Sequence, residues 1–276
     1  MTKLKVTLMA LMLCCVVAEA QDYTWETHVM DGSRTGCKAA SAVNADETIG
    51  VVRQNGSYVA PSGTVFPKCS STAKVASIVL EAQPEMTDLK SVIAYSEDEM
   101  PQSSSEGKLS NWFVGIIMDK VSALSGKKSD VGICNFGGIR KGMPKGDVLL
   151  DDIQSMFPFK NYLVHLEMTG SELRKNFEKM AAGKFQAVGG VSIEVADGKL
   201  VSVLVGGEPL KDDKVYNVAT ISFLLHGGDG LSLADDSIKV DNYDVLIYDA
   251  VMEHINALTA SGQSIKGSDV CHVVIR

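Results

Sequence analysis

The spacing of hydrophobic residues alternates between helical and strand-like periods, and each change predicts an element. Apolar residues recur at helical spacing in STAKVASIVLEA (71–82) and in LSNWFVGIIMDKVSALSGK (109–127). In the second window Ser110 or Asn111 is the expected N-cap, and Gly126 is the expected stop. KSVIAYS, SDVGIC and HVVIR predict strands, and DNYDVLIYDAVMEHINAL predicts the last helix.

The remaining segments predict turns, strands and two further helices. QNGSY predicts a tight turn within a hairpin-rich stretch at 21–70, and EDEMPQSSSEGK predicts an exposed loop. A short helix from Asp151, a break at Pro158, a strand and a helix capped by Thr169 or Ser171 follow. Because helices and strands intersperse without strict βαβ alternation, we predict an α+β fold with mixed sheets and helices on the outer faces.

The first twenty residues have the pattern of a secretory signal. Lys3 and Lys5 give a positive start, a short apolar run follows, and Ala18-Glu19-Ala20 matches a small-x-small cleavage site. We therefore expect cleavage near Ala20 and export, either to a periplasm or as a secreted protein. No later stretch approaches the ~20 apolar residues of a membrane helix, so no membrane span is expected.

We divide the chain into a signal peptide at 1–20, an N-terminal extension at 21–88 and a main domain at 89–276. The extension has a β-hairpin-rich start followed by a helix. The net charge of −8 at pH 7 argues against binding of a nucleic-acid polymer, which requires a basic face. A small anionic ligand is compatible with this charge, since one local Arg or Lys suffices to bind it.

Four cysteines follow the signal segment, and they predict no metal site. Cys37 and Cys69 could bridge the N-terminal extension in an oxidising compartment, whereas Cys134 lies in an apolar run typical of a buried small side chain. The chain has no C-x-x-C motif, no histidine pair spaced for a metal and no G-x-S-x-G motif. We therefore assign no catalytic residue and no metal ligand to this chain.

The segment NFGGIR has two interpretations. Gly137 and Gly138 let the backbone turn sharply and let its N–H groups approach a ligand. Asn135 offers a donor and an acceptor, and Arg140 offers a planar fork for a carboxylate or phosphate. A tight turn explains the same residues, and short glycine motifs alone are weak evidence.

Two further segments favour a ligand site. FPFKN contains Phe159 and Asn161, and SFLLHGGDG contains Phe223 and Asp229. Two aromatic rings on separate loops could sandwich a planar base, a contact worth ~1–3 kcal/mol per base, and a carboxylate could accept from sugar hydroxyls. Alternatively, each Phe packs in the core and Asp229 forms a turn.

Six ordered motifs, NFGGIR, PFKN, LEMTGSEL, VGGVSIEV, GGEPLKDDKVYNVAT and FLLHGGDG, together resemble the C-terminal domain of the 5′-nucleotidase family. The resemblance covers roughly residues 90 to 276. It implies that this domain recognises a nucleotide. The substrate-binding residues that it implies are Asn135, Gly138, Arg140, Phe159, Asn161, Gly190, Phe223 and Asp229.

The resemblance also implies a role for most of these residues. The rings of Phe159 and Phe223 would stack on the two faces of the base, and Asp229 would bind the ribose hydroxyls. Asn135 would contact the base, and Arg140 would lie near the ribose or phosphate. Gly190 would line the pocket, as would Asn161, which matches a polar position of some members. A further family Arg aligns loosely with Lys108, so this sequence departs from the family there.

A larger departure concerns the metal centre. Family enzymes carry an N-terminal metallophosphoesterase domain that holds two metal ions, and this sequence contains none of its ligand motifs. We therefore expect no cofactor in this chain and divalent metals only in a separate metallophosphoesterase partner. The chain would be the recognition component of a split hydrolase, not catalytic alone. The alternatives are a stand-alone nucleoside- or nucleotide-binding module, and an inherited fold whose ligand has changed.

Overall fold

The computed structural model of the protein describes residues 49–276. Its helices are α1 Ser71–Ala82, α2 Lys108–Ser125, α3 Leu150–Met156, α4 Gly170–Ala182 and α5 Ile247–Ala260. Its strands are β1 Val51–Val52, β2 Tyr58–Val59, β3 Val65–Phe66, β4 Val92–Ser96, β5 Val131–Cys134, β6 Gly146–Leu149, β7 Tyr162–Thr169, β8 Ala187–Gly189, β9 Val191–Ala196, β10 Lys199–Val205, β11 Glu208–Pro209, β12 Val215–Ile221, β13 Lys239–Leu246 and β14 Val273–Ile275.

A five-stranded mixed sheet forms the centre of the molecule, in the order β13-β7-β12-β5-β8. β12 runs antiparallel to β7 and parallel to β5. Helix α2 lies so close to this sheet that a Cβ at Gly132 or Gly189 would come within 2.6 or 2.7 Å of Val114 Cγ1. Glycine is needed at both positions because no larger residue fits beneath the helix.

Smaller sheets surround this centre. A four-stranded sheet has the order β11-β10-β9-β14, β4 pairs with β6, and the hairpins β1-β2-β3 lie beside α1. The QNGSY turn joins β1 to β2, where Arg53 N donates to Ser57 O at 2.8 Å. The predicted α+β fold with mixed sheets is therefore confirmed.

Most predicted helix ends are confirmed, and two helix starts are wrong. Gly126 ends α2 in the left-handed conformation, and the Thr169 side chain accepts from Glu172 N at the start of α4. However, α2 begins at Lys108 with Gly107 as its N-cap, three residues before the predicted Ser110. Ser110 Oγ instead accepts from the Gly107 N–H at 3.0 Å, so its hydroxyl reaches back to satisfy the cap residue.

The last predicted helix also begins too early. Residues 239–246 form β13, paired with β7, and α5 starts only at Ile247. Pairing across the sheet overrides the local helical spacing, because strand preference depends on cross-strand partners.

Cys134 is fully buried, as predicted, and burial raises the pKa of its thiol. The signal peptide, the early hairpins and Cys37 lie outside the described residues, so the Cys37–Cys69 bridge stays a prediction. In residues 49–276 no helix combines the length and the apolar character needed to cross a membrane.

Candidate functional site

One edge of the central sheet, at the carboxyl ends of β5 and β12, brings together the three polar loops. β5 and β12 are parallel, so the residues that follow Cys134 and Ile221 emerge at the same edge. β7 is antiparallel to β12 and pairs Leu163 with Ile221, so the residues preceding β7 lie there too. The topology therefore gathers segments 135–140, 157–161 and 222–230.

Hydrogen bonds join the three loops. Tyr162 N donates to Ser222 Oγ at 3.0 Å, which ties the Phe159 loop to the Phe223 loop. Arg140 N donates to Met156 O at 2.9 Å, which ties the glycine loop to the end of α3. These bonds set the relative positions of the loops.

The two predicted stacking residues present open ring surface. Phe159 is 49% and Phe223 is 43% exposed, and no ring contact joins them within residues 49–276. A Cβ at Gly228 would lie 2.0 Å from Phe223 O and 2.9 Å from its ring, so the glycine permits the close fold of this loop. Asp229 is exposed and has a φ of 47°, a conformation that Asp adopts more readily than most residues.

Asn135 carries an unsatisfied acceptor at the same edge. Its side chain is 5% exposed, and its Oδ1 atom has no hydrogen-bond partner in the described chain. A Cβ at Gly138 would lie 2.7 Å from that oxygen. The glycine therefore leaves room for the Asn135 amide. A buried acceptor without a hydrogen-bond donor destabilises the fold by about 1–3 kcal/mol.

Arg140 is exposed and lies beside one of the rings. Its Nη1 donates to Gly137 O at 3.2 Å, and its Cζ lies 5.7 Å from the centroid of the Phe159 ring. A guanidinium within about 6 Å of an aromatic centroid is attracted to the ring. The loop thus presents a cation next to an aromatic surface.

The following residue anchors the loop to α3. Lys141 Nζ pairs with Asp151 at 3.1 Å and with Asp152 at 2.9 Å. Burial disfavours the Lys141 ammonium, but the bonds to Asp152 and Asp151 outweigh it and raise the lysine's pKa. Asp152 Oδ2 also accepts from Leu149 N at 2.8 Å, so the anchor is continuous with the helix start.

The structure places Asn161 at this edge and Gly190 away from it. Asn161 N donates to Phe159 O, and its carbonyl accepts from Ile247 N, both at 3.0 Å. Gly190 lies at the opposite end of β5, where its Cβ would be 2.2 Å from Asp130 O, because β8 runs antiparallel to β5. The pocket role of Gly190 stays a prediction that this placement does not favour.

Gln186, the residue that precedes β8, lies at the edge where the three loops meet. The last paired residues of β5 and β8 are Cys134 and Ala187, so Gln186 comes beside Asn135 one step further on. Gln186 is 5% exposed. No sequence pattern singled it out, since only the strand pairing brings it there.

Residues 49–276 contain no group of three or more His, Cys, Asp or Glu side chains that could hold a metal ion. His165 is fully buried, with Nδ1 3.1 Å from Asp241 Oδ2 and Nε2 3.0 Å from Asn217 Oδ1, so it holds strands together. Lys108 pairs with Asp98 at 2.8 Å and Asp269 at 3.5 Å. Neither the His165 contacts nor the Lys108 ion pairs form a two-metal centre.

Comparison with known proteins places this chain in a family. The family model for the 5′-nucleotidase C-terminal domain matches residues 91–236. The 5′-nucleotidase of Vibrio vulnificus is 33% identical over 115 residues, which are 40% of this chain and 21% of that protein. Protein UshA of Yersinia enterocolitica is 33% identical over 151 residues, 51% of this chain and 27% of that protein.

A solved structure shares the fold. The 5′-nucleotidase precursor of Thermus thermophilus superposes with a TM-score of 0.63 at 23% identity, over 74% of this chain and 43% of that chain. The chain thus spans about a quarter of the two curated relatives and under half of the solved one. With its central domain matched by the family model, the chain belongs to the 5′-nucleotidase family, as a carrier of its C-terminal domain.

Proposed function

We propose that this protein is the exported nucleotide-recognition component of a 5′-nucleotidase-type phosphohydrolase. It binds a nucleoside or nucleotide at the loop edge of the central sheet. The base stacks between Phe159 and Phe223, and Asp229 accepts hydrogen bonds from the ribose hydroxyls. The family supports a nucleotide-recognition module, and the finer assignment rests on the loop geometry.

The observation that carries the proposal is an unpaired buried acceptor at the same sheet edge as two exposed rings. Asn135 Oδ1 lacks a donor, and the exocyclic or ring N–H of a base supplies one. The rings of Phe159 and Phe223 lie on the other two loops of this edge with nearly half of their surfaces open. A planar ligand with an N–H at its edge satisfies both features at once.

Arg140 provides a binding partner for an anionic group on the ligand. Its guanidinium is exposed and is held beside Phe159 by a single bond to Gly137 O. A phosphate or ribose oxygen offers a stronger, charge-assisted partner than a peptide carbonyl. A nucleotide therefore gains a contact that a free base lacks.

The hydrolytic step requires groups that residues 49–276 do not assemble. No cluster suited to a metal ion occurs there, so we propose that a separate metallophosphoesterase chain supplies the metals and the water nucleophile. This chain positions the nucleotide, and positioning alone contributes several kcal/mol to a reaction. Export follows from the signal-like segment ending near Ala20.

Calorimetric titration with adenosine and AMP in the presence of a chelator tests this function. The same sample is then assayed for phosphate release with divalent metal restored. We expect binding of both ligands without hydrolysis. Hydrolysis by the pure chain would refute the division of labour, and a failure to bind either ligand would refute nucleotide recognition.

The stand-alone binding module gives the same binding result. Adding a metallophosphoesterase that is exported by the same cell distinguishes the two. Faster AMP hydrolysis in the presence of this chain supports the recognition component. No change in rate with any such enzyme supports the module.

A further inference from the structure

A cavity of about 600 Å³ opens next to the proposed base site. Phe136, which follows Asn135, and Gln186, which lies beside it, both line this cavity. Phe185, Val273 and Ile275 contribute apolar walls. The cavity is therefore a continuation of the sheet edge and has a mainly apolar lining.

Most of the charged groups around the cavity are already engaged, but Lys184, which also lines it, is exposed and has no ion pair within residues 49–276. Glu106 accepts from His272 N at 2.7 Å and from Val273 N at 3.0 Å. Lys108 is paired with Asp98 and Asp269. Among these charged groups, a charged ligand group consequently finds a free partner at the exposed Lys184, whereas Glu106 and Lys108 are occupied.

The amides around the cavity differ from each other. Asn111 Nδ2 donates to Ser268 O at 3.2 Å and to Val270 O at 2.6 Å. Gln186 is 5% exposed, and its side chain has no hydrogen bond to any of residues 49–276. Because this amide lines the cavity without a partner from the described chain, it offers both donors and an acceptor to a ligand.

The order of the strands decides which part of a ligand reaches this amide. Along the edge the loops follow the sheet order β7-β12-β5-β8, which places Phe159 first, then Phe223 and Asp229, then Asn135, then Gln186. In the proposed nucleoside site Asp229 binds the ribose and Asn135 contacts the edge of the base. Gln186 comes directly after Asn135 in this order, so a substituent on the base edge that Asn135 contacts would reach Gln186 and the cavity.

We propose that Gln186 is a further ligand-binding residue, and that the cavity receives a neutral, hydroxyl-bearing substituent on the base of the bound nucleoside. The inference rests on the proposed nucleoside site. The preferred ligand is then a nucleoside or nucleotide with an extended base. A hydroxyl both donates and accepts, so it satisfies either end of the amide.

The test compares adenosine with N6-ethyladenosine and N6-(2-hydroxyethyl)adenosine by calorimetric titration. The two substituted ligands differ only in one hydroxyl. We expect the hydroxyethyl ligand to bind about fivefold more tightly than the ethyl ligand, as one net hydrogen bond predicts. We also expect it to bind more tightly than adenosine, since the substituent fills the cavity.

Gln186→Leu removes the amide at similar volume and should bring the hydroxyethyl-to-ethyl ratio to one. Gln263→Leu, the same change at an exposed position, should keep the fivefold ratio. This inference alone is overturned if adenosine binds but the wild type binds the hydroxyethyl and ethyl ligands equally tightly. It is also overturned if both substituted ligands bind more weakly than adenosine. No binding of any of the three ligands overturns the proposed function as well.

Discussion

Phe223→Ala is expected to weaken adenosine binding at least tenfold while leaving the fold intact. Stacking on an aromatic ring is worth ~1–3 kcal/mol per base, and the middle of that range, about 2 kcal/mol, corresponds to roughly thirtyfold because 1.4 kcal/mol is a factor of ten. The ring is 43% exposed, so truncation removes only part of the roughly 1.5–3 kcal/mol of a fully buried Phe. A domain with about 5–15 kcal/mol of stability tolerates that loss.

Affinity is measured by calorimetry, and the fold is checked by thermal unfolding of the same sample. Phe159→Ala should give a loss of similar size, because the second ring covers the other face of the base. Tyr95→Ala is the matched control, since Tyr95 is 50% exposed on β4 and lies outside the three loops. Unchanged affinity in both Phe variants would refute the stacking arrangement.

Three further substitutions test the ribose contact, the Asn135 contact and the Lys239–Asp241 ion pair. Asp229→Asn should weaken adenosine more than adenine, because Asn tolerates the same positive φ but loses the carboxylate; equal losses by calorimetry would contradict ribose binding. Gly138→Ala should lower adenosine affinity about tenfold, because the added Cβ would lie 2.7 Å from Asn135 Oδ1 and would displace that oxygen. Unaltered affinity would argue against the Asn135 amide as a ligand group. The Lys239 ammonium lowers the pKa of Asp241, so this ion pair stabilises the fold above about pH 4 and is lost as the pH falls through the lowered pKa. Urea unfolding should therefore show less acid destabilisation in Asp241→Asn than in the wild type, and identical acid losses would exclude this group.

Local sequence patterns predicted the elements whose ends depend on neighbouring residues. Gly126 adopts the left-handed conformation that a side chain would strain, and Thr169 caps α4 because its hydroxyl reaches the Glu172 N–H three residues on. Cys134 is buried because its run is apolar throughout. The two helix ends depend on contacts within a few positions along the chain, and the burial of Cys134 follows from an apolar run that the sequence displays.

Pairing between distant segments overrode some of these patterns. The start of DNYDVLIYDAVMEHINAL has helical spacing, yet residues 239–246 pair with β7 as a strand. For Gly190, whose pocket role stays a prediction, the antiparallel run of β8 sets the position at the edge opposite Asn135. In both cases the neighbour across the sheet decides the outcome, and that neighbour is remote in sequence.

By itself, the sequence determined the α+β class, most helix ends and the residue types suited to a nucleotide: two Phe, an Asp, an Asn and an Arg in glycine-containing segments. Only the tertiary structure decided that segments 135–140, 157–161 and 222–230 share one edge, because parallel β5–β12 and antiparallel β7–β12 pairing sets where each strand ends. It also left Asn135 Oδ1 and Gln186 without partners there. Hydrogen-bond satisfaction depends on every group that packs nearby, and no linear pattern records it.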